Sequence, residues 1–215
     1  MKHIYPILLV FLFCTPILAQ GRGAFVEKIA NPDQAFAVRV EVDHPDRQYA
    51  KGDLLQISVE SSEDGYLYLF YRDAAGNVSM LFPNRFQKKN VVKKNEPVAV
   101  PTPESIFQIR IDDPFGNELL KAVVSKKPLE FFVNMDLTGI NVLQIAEEDG
   151  KELAKSVMAM KQSDWTEHHV DIRTVEFRKS SRDSTIVVVS KPSFKKKPVK
   201  LCSRWIIFRL RFCRN

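Results

Sequence analysis

The stretch GYLYLFYRDAAGNVSMLFPN, residues 65–84, decides the fold. Successive side chains of an extended strand point to opposite faces. Tyr66, Tyr68 and Phe70 therefore share one face, and Leu67, Leu69 and Tyr71 share the other. Both faces are apolar, which places this strand in the middle of the domain with something packed on each side. An exposed aromatic platform for a ligand would leave one face polar, so the pattern favours core packing, with tyrosine hydroxyls reaching the rim for hydrogen bonds. Asp73-Ala74-Ala75-Gly76-Asn77 reads as a tight hairpin connection, with Gly76 available for positive φ. Residues 78–82 return along the hairpin, Pro83 ends the pairing, and Asn84 opens the next loop.

Similar signals extend on either side. In AFAVRVEVD, residues 35–43, Phe36, Val38, Val40 and Val42 alternate with Arg39 and Glu41, the mark of a half-buried antiparallel strand. Further strands are predicted over 54–60, 98–100, 106–111, 119–125 and 170–177, with turns at SSEDG and DDPFGN. One helix is predicted after Asp149 or Gly150, where KELAKSVMAMK puts Leu153, Val157 and Met160 on one face. The chain thus predicts a mainly β fold: an antiparallel β-sandwich of about eight strands over residues 35–178, with one late α-helix at an edge or end. Residues 21–34 read as an N-terminal linker.

Five motifs stand in order along this region: Tyr49 with Gly52 and Asp53; Gly65, Tyr66, Leu67 and Tyr68; the Asp73 to Gly76 turn; Leu81, Phe82, Pro83 and Asn84; and Pro114, Phe115 and Gly116 before an Ala/Val-Ser strand. On these motifs the chain resembles the bacterial domain-of-unknown-function family 4384 over roughly residues 35–178. Tyr49, Gly52, Asp53, Gly65, Tyr66, Tyr68, Phe70, Gly76, Leu81, Phe82, Pro83, Phe115 and Gly116 read as structural residues. Members are often appended to exported or multidomain proteins, including caspase-like peptidases and protein kinases, which implies an accessory module. The family brings no catalytic residues.

The two ends carry different information. MKHIYPILLVFLFCTPILAQ, residues 1–20, reads as a secretory signal peptide: Lys2 and His3, then an apolar run, then small residues near Ala19. The run is too short to span a bilayer, which takes about 20 apolar residues. A periplasmic or secreted location is expected. The net charge of +6 hides an asymmetry. From Arg178 onward twelve Lys or Arg stand against one acid, whereas residues 21–177 carry 19 bases and 25 acids. The basic character belongs to a tail, residues 179–215, and not to a nucleic-acid-binding domain. That tail reads either as a solvated extension or as an attachment to anionic surfaces through Lys195, Lys196, Lys197, Arg209 and Arg211. Its two cysteines, Cys202 and Cys213, have no turn residue between them to favour pairing.

Catalytic patterns are weak. The serines lack a Gly-x-Ser-x-Gly elbow, and no phosphate-cradling glycine loop occurs. His168 and His169 are neighbours on a predicted strand and would face opposite ways, so they cannot readily share a metal ion. Asp43-His44-Pro45-Asp46 offers fewer oxygen ligands than a calcium loop and reads as a turn held by aspartate side chains. The paired acids Asp112-Asp113 and Glu147-Glu148-Asp149 read as turn and helix-cap residues. No cofactor and no metal are expected.

The remaining signal is a basic island in an acidic domain. Asn84, Arg85 and Phe86, followed by Lys88, Lys89, Lys93 and Lys94, form the candidate interaction surface, with a solvated loop as the plain alternative. The sequence therefore predicts a non-catalytic binding or accessory module at the cell envelope, with an envelope component or a protein as partner. The alternative is a regulatory domain for a separate enzyme such as a peptidase. A hydrolase would need a clustered Asp/His/Ser pocket.

Overall fold

The computed structural model describes residues 21–133 and 142–177. In chain order its elements are α1 (Ala24–Lys28), β1 (Val38–Val42), β2 (Gln48–Ala50), β3 (Leu54–Leu55), β4 (Ile57–Ser61), β5 (Gly65–Arg72), β6 (Val78–Phe82), β7 (Val91–Val92), β8 (Val98–Val100), β9 (Ile109–Arg110), β10 (Asn117–Ser125), α2 (Glu130–Val133), β11 (Leu143–Ile145), α3 (Glu147–Met158) and β12 (Trp165–Val175). The large sheet runs β11-β6-β5-β10-β12-β2, with β7 also pairing β5. A smaller sheet runs β1-β4-β8, and β3 pairs with β9. All pairings are antiparallel except β12 with β2. The mainly antiparallel β fold expected from the sequence is the fold observed.

The quoted stretch is its hub. In β5 the face of Leu67, Leu69 and Tyr71 packs with Phe36, Val38 and Val40 of the small-sheet side and with Leu120, Ala122, Val170 and Ile172 of the large sheet. The opposite face, Tyr68 and Phe70 with Tyr66 alongside, packs with Phe25, Val26, Leu153, Val157 and Trp165. Each such fully buried aliphatic or aromatic side chain stabilises the fold by about 1.5–3 kcal/mol. A strand that meets a core on both faces must read as apolar throughout, which is why β5 shows no polar alternation.

The second core corrects two expectations. Helix α3 does not sit at an edge or end of a two-layer sandwich; with α1 it forms a third layer over one face of the large sheet. Residues 21–34 are not a linker, because Phe25, Val26 and Ile29 are buried in that layer. The segment is held by polar bonds as well. Lys121, itself buried, donates from Nζ to the carbonyl of Ile29 and pairs with Glu167 at 3.3 Å. Asn31 Nδ2 donates to the carbonyls of Gln162 (2.8 Å) and Trp165 (2.6 Å). A five-residue helix with three apolar side chains carries too little periodicity to be read from sequence.

Helix α3 also starts earlier than predicted. Glu147, Glu148 and Asp149 occupy its first turn, where acidic side chains oppose the positive end of the helix dipole. Gly150 lies inside the helix instead of preceding it, and a Cβ there would stand 2.2 Å from the Phe25 ring. The glycine lets α1 approach the α3 backbone.

Several strand boundaries shift. The predicted 54–60 strand divides into β3, paired with β9, and β4, paired with β1. The predicted 106–111 strand shortens to Ile109–Arg110, since the apolar alternation there follows burial of Phe107 and Ile111 without a long hydrogen-bonded neighbour. The last strand lengthens to begin at Trp165. β2, β7 and β11 fall in segments where no strand is predicted.

The hairpin Asp73–Asn77 forms as expected. Asp73 Oδ1 accepts from the amides of Ala75 (2.9 Å) and Asn77 (2.8 Å), and Gly76 has φ +84°. A Cβ on Gly76 would meet the carbonyl oxygen of Arg22 at 2.3 Å, so the tip is pressed against the N-terminal segment. Only glycine fits there.

Candidate recognition site

The site begins where β6 ends. Asn84 is 3% exposed, and its side chain organises the following loop. Nδ2 donates to the Leu81 carbonyl (2.7 Å), while Oδ1 accepts from the amides of Phe86 and Gln87 (both 2.9 Å). Gln87 Nε2 then donates to the Ala99 carbonyl at 3.1 Å, tying the loop to β8. Asn84 is thus a buried organiser, which removes it from the candidate interaction surface. Its bonds fix the loop that carries the half-buried Arg85 and Phe86. The Phe86 ring stacks on Phe107 at 4.9 Å, and the Arg85 guanidinium lies 4.5 Å from the Phe86 centroid. This arginine-over-aromatic arrangement is held by the ring quadrupole.

Phe107 is also one wall of a cleft of about 40 Å³. Its apolar lining is Tyr71, Leu81, Phe107, Ile109, Ile111 and Val142, and its polar lining is Ser79, Asn84, Arg110 and Asp112. Ile106, the chain neighbour of Phe107, is 74% exposed. An exposed aliphatic next to a half-buried aromatic and an arginine is the composition that concentrates binding energy at protein interfaces.

The motif Tyr49, Gly52 and Asp53 supports this cleft from below. Asp53 Oδ2 accepts from the Ala50 amide (2.9 Å), Gly52 N–H donates to the Ile111 carbonyl (2.8 Å), and Ile111 N–H donates to the Asp53 carbonyl (2.9 Å). Lys51 in the same turn pairs with Asp112 at 3.3 Å and Asp113 at 3.8 Å, and lies 5.8 Å from the Phe115 ring. Tyr49 is buried, donates to Asp43 Oδ1 at 2.8 Å, and stacks on His44. Burial first, then the bond to Asp43, pushes its phenol above the ordinary range.

Behind Tyr71 lies a buried carboxyl. The Tyr71 hydroxyl donates to Glu118 Oε2, Thr174 Oγ1 donates to Oε1 (2.9 Å), and the Gly116 amide donates to Thr174 Oγ1 (3.0 Å). Desolvation pushes Glu118 up to about 7, against the pull of these hydrogen bonds.

Of the basic island, Lys93 pairs with Asp64 at 2.9 Å and Lys94 with Glu63 at 3.1 Å. The backbone amide of Lys94 and the Lys93 ammonium together hold the Asp64 carboxyl below its ordinary value. Lys88 and Lys89 are exposed. The surviving cationic surface is therefore Arg85, Lys88 and Lys89, with Arg110 in the cleft. Phe107, Ile106 and Arg110 were not singled out from sequence; they stand some twenty residues beyond Phe86, and only folding brings them together.

The other candidates resolve into structure. In Asp43-His44-Pro45-Asp46, Asp43 Oδ1 also accepts from Gln56 N–H (3.0 Å), and Asp46 Oδ1 accepts from Gln48 N–H (3.1 Å), as a side-chain-held turn requires. His168 Nδ1 accepts from Val40 N–H at 3.3 Å on one face of β12, while His169 lies near Glu167 on the other. Among the described residues no three His, Cys, Asp or Glu side chains gather in a metal-binding group. Lys195, Lys196, Lys197, Cys202, Arg209, Arg211 and Cys213, and the signal segment 1–20, lie outside the described residues.

Residues 48–128 match the family model described as Domain of unknown function (DUF4384). That segment contains every cleft-lining residue except Val142. No curated protein matches the chain, and no solved structure matches it.

Proposed function

We propose that this chain, whose residues 48–128 match the family model described as Domain of unknown function (DUF4384), is an exported, non-catalytic binding module acting at the cell envelope. The observation that carries the reading is the Arg85–Phe86–Phe107 stack, whose Phe107 also lines the cleft. Stacked side chains lose little rotamer freedom on binding, so a partner meets a preformed cationic and aromatic ridge. A non-catalytic role is supported by how the reactive side chains are engaged: Asp43, His44, Asp46 and Asp53 all hold turns. Export is supported by the charge-apolar-small order of residues 1–20. The cationic residues from Arg178 onward favour added attachment to anionic envelope polymers or lipid headgroups.

The test is fractionation of the producing cell. The full chain is expected in the envelope fraction, released by salt, and less retained when residues 178–215 are deleted. The combined substitution Arg85→Ala, Phe86→Ala is expected to lower envelope retention of the tail-deleted chain while its thermal unfolding remains cooperative. Equal retention of all forms would overturn the recognition role of the ridge.

A further inference from the structure

We propose that the cleft beside Arg110 receives an extended segment of a partner protein carrying a carboxylate next to an apolar side chain. The inference rests on the recognition reading above and names what that surface recognises.

The other polar groups of the cleft are engaged within the protein. Asn84 is bonded to Leu81, Phe86 and Gln87 through both ends of its amide. The Tyr71 hydroxyl is directed to Glu118. Ser79 Oγ accepts from Gln144 Nε2 at 2.8 Å. Asp112 pairs with Lys51 and accepts from the Asp113 amide at 3.0 Å. Arg110 forms no ion pair among the described residues. An arginine presents a planar fork of donors that matches a carboxylate.

Two further observations define the rest of the ligand. The remaining walls, Leu81, Phe107, Ile109 and Ile111, are apolar. A volume of about 40 Å³ corresponds to roughly three water-sized spaces at about 10–15 Å³ each, room for one branched aliphatic side chain. Among the described residues β9, which carries Ile109 and Arg110, pairs only with β3. No described strand pairs with its other edge, and backbone pairing along such an edge selects a polypeptide over a compact small molecule.

The probe is the peptide acetyl-Val-Leu-Asp-Val-amide, compared with its Asn counterpart, titrated into the ¹⁵N-labelled full chain and followed by NMR. Amide shifts are expected at Leu81, Phe107 and Ile111. Affinity is expected to drop at least tenfold for the Asn peptide and for Arg110→Gln, with Arg110→Lys retaining part of it. Three results would overturn the inference: no binding, equal binding of both peptides, or undiminished binding by Arg110→Gln. Envelope retention that still depends on Arg85 and Phe86 in any of those cases would leave the recognition reading standing and remove only this ligand.

Discussion

Tyr71 donates its hydroxyl to Glu118 in the interior of the domain, where Glu118 is 2% exposed and Tyr71 7%. The pair links the cleft wall to β10, and Thr174 links it onward to β12. The charge of nearby Asp73 disfavours ionisation of the carboxyl.

A pH dependence follows from this pair. Burial raises Glu118 from its ordinary 4.5 to about 7, so the folded protein holds a proton that the unfolded chain releases between those values. Its contribution is fully present below pH 4.5 and is lost as pH rises through 7. At about 1.4 kcal/mol per unit the loss amounts to about 3 kcal/mol. Urea unfolding at pH 5 and pH 8 should show this difference, and Glu118→Gln should flatten it. An unchanged slope in the variant would mean that other groups carry the pH dependence.

Gly150→Ala sets helix propensity against packing. Alanine favours an exposed helix interior by about 1 kcal/mol, but here its Cβ would lie 2.2 Å from the Phe25 ring. Overpacking of this kind costs about 1–3 kcal/mol, so thermal unfolding should show net destabilisation. Phe25→Ala should abolish the extra cost of Gly150→Ala in a double-mutant cycle.

Phe25→Ala alone should cost about 3–5 kcal/mol, the range for truncating a buried aromatic. A chain begun at residue 35 should lose still more, because Val26, Ile29 and the Ile29 bond to Lys121 go as well. Native-like stability of that truncated chain, measured by denaturant titration, would contradict the three-layer core.

Asn84→Ala should destabilise by about 1–3 kcal/mol, since it leaves the Phe86 and Gln87 amides without their acceptor. Lys93→Ala, which breaks a solvent-exposed pair, should leave stability nearly unchanged. Chemical denaturation of both variants checks the contrast between a buried loop organiser and a solvated ion pair.

Part of the candidate site was legible before folding. Arg85 and Phe86 stood out because a basic, aromatic stretch follows Leu-Phe-Pro-Asn in an acidic domain. Phe107 and Arg110 did not, because nothing local marks a residue that will stack or face a cleft across some twenty intervening positions. Asn84 was misplaced for a related reason: an asparagine opening a loop looks exposed, and its burial depends on the amides that later residues bring to it.

Local alternation was enough to assign the faces of the long strands. Side-chain alternation is a property of each extended segment alone, so Tyr68 and Phe70 were separated from Leu67, Leu69 and Tyr71 without knowledge of any partner. Only the tertiary structure decided what covers each face: the small sheet on one side, and α1 with α3 on the other. That choice rests on contacts between residues far apart in the chain, such as Phe25 on Gly150 and Lys121 on the Ile29 carbonyl. Such contacts form only when chain closure brings the segments together, and no local pattern encodes them.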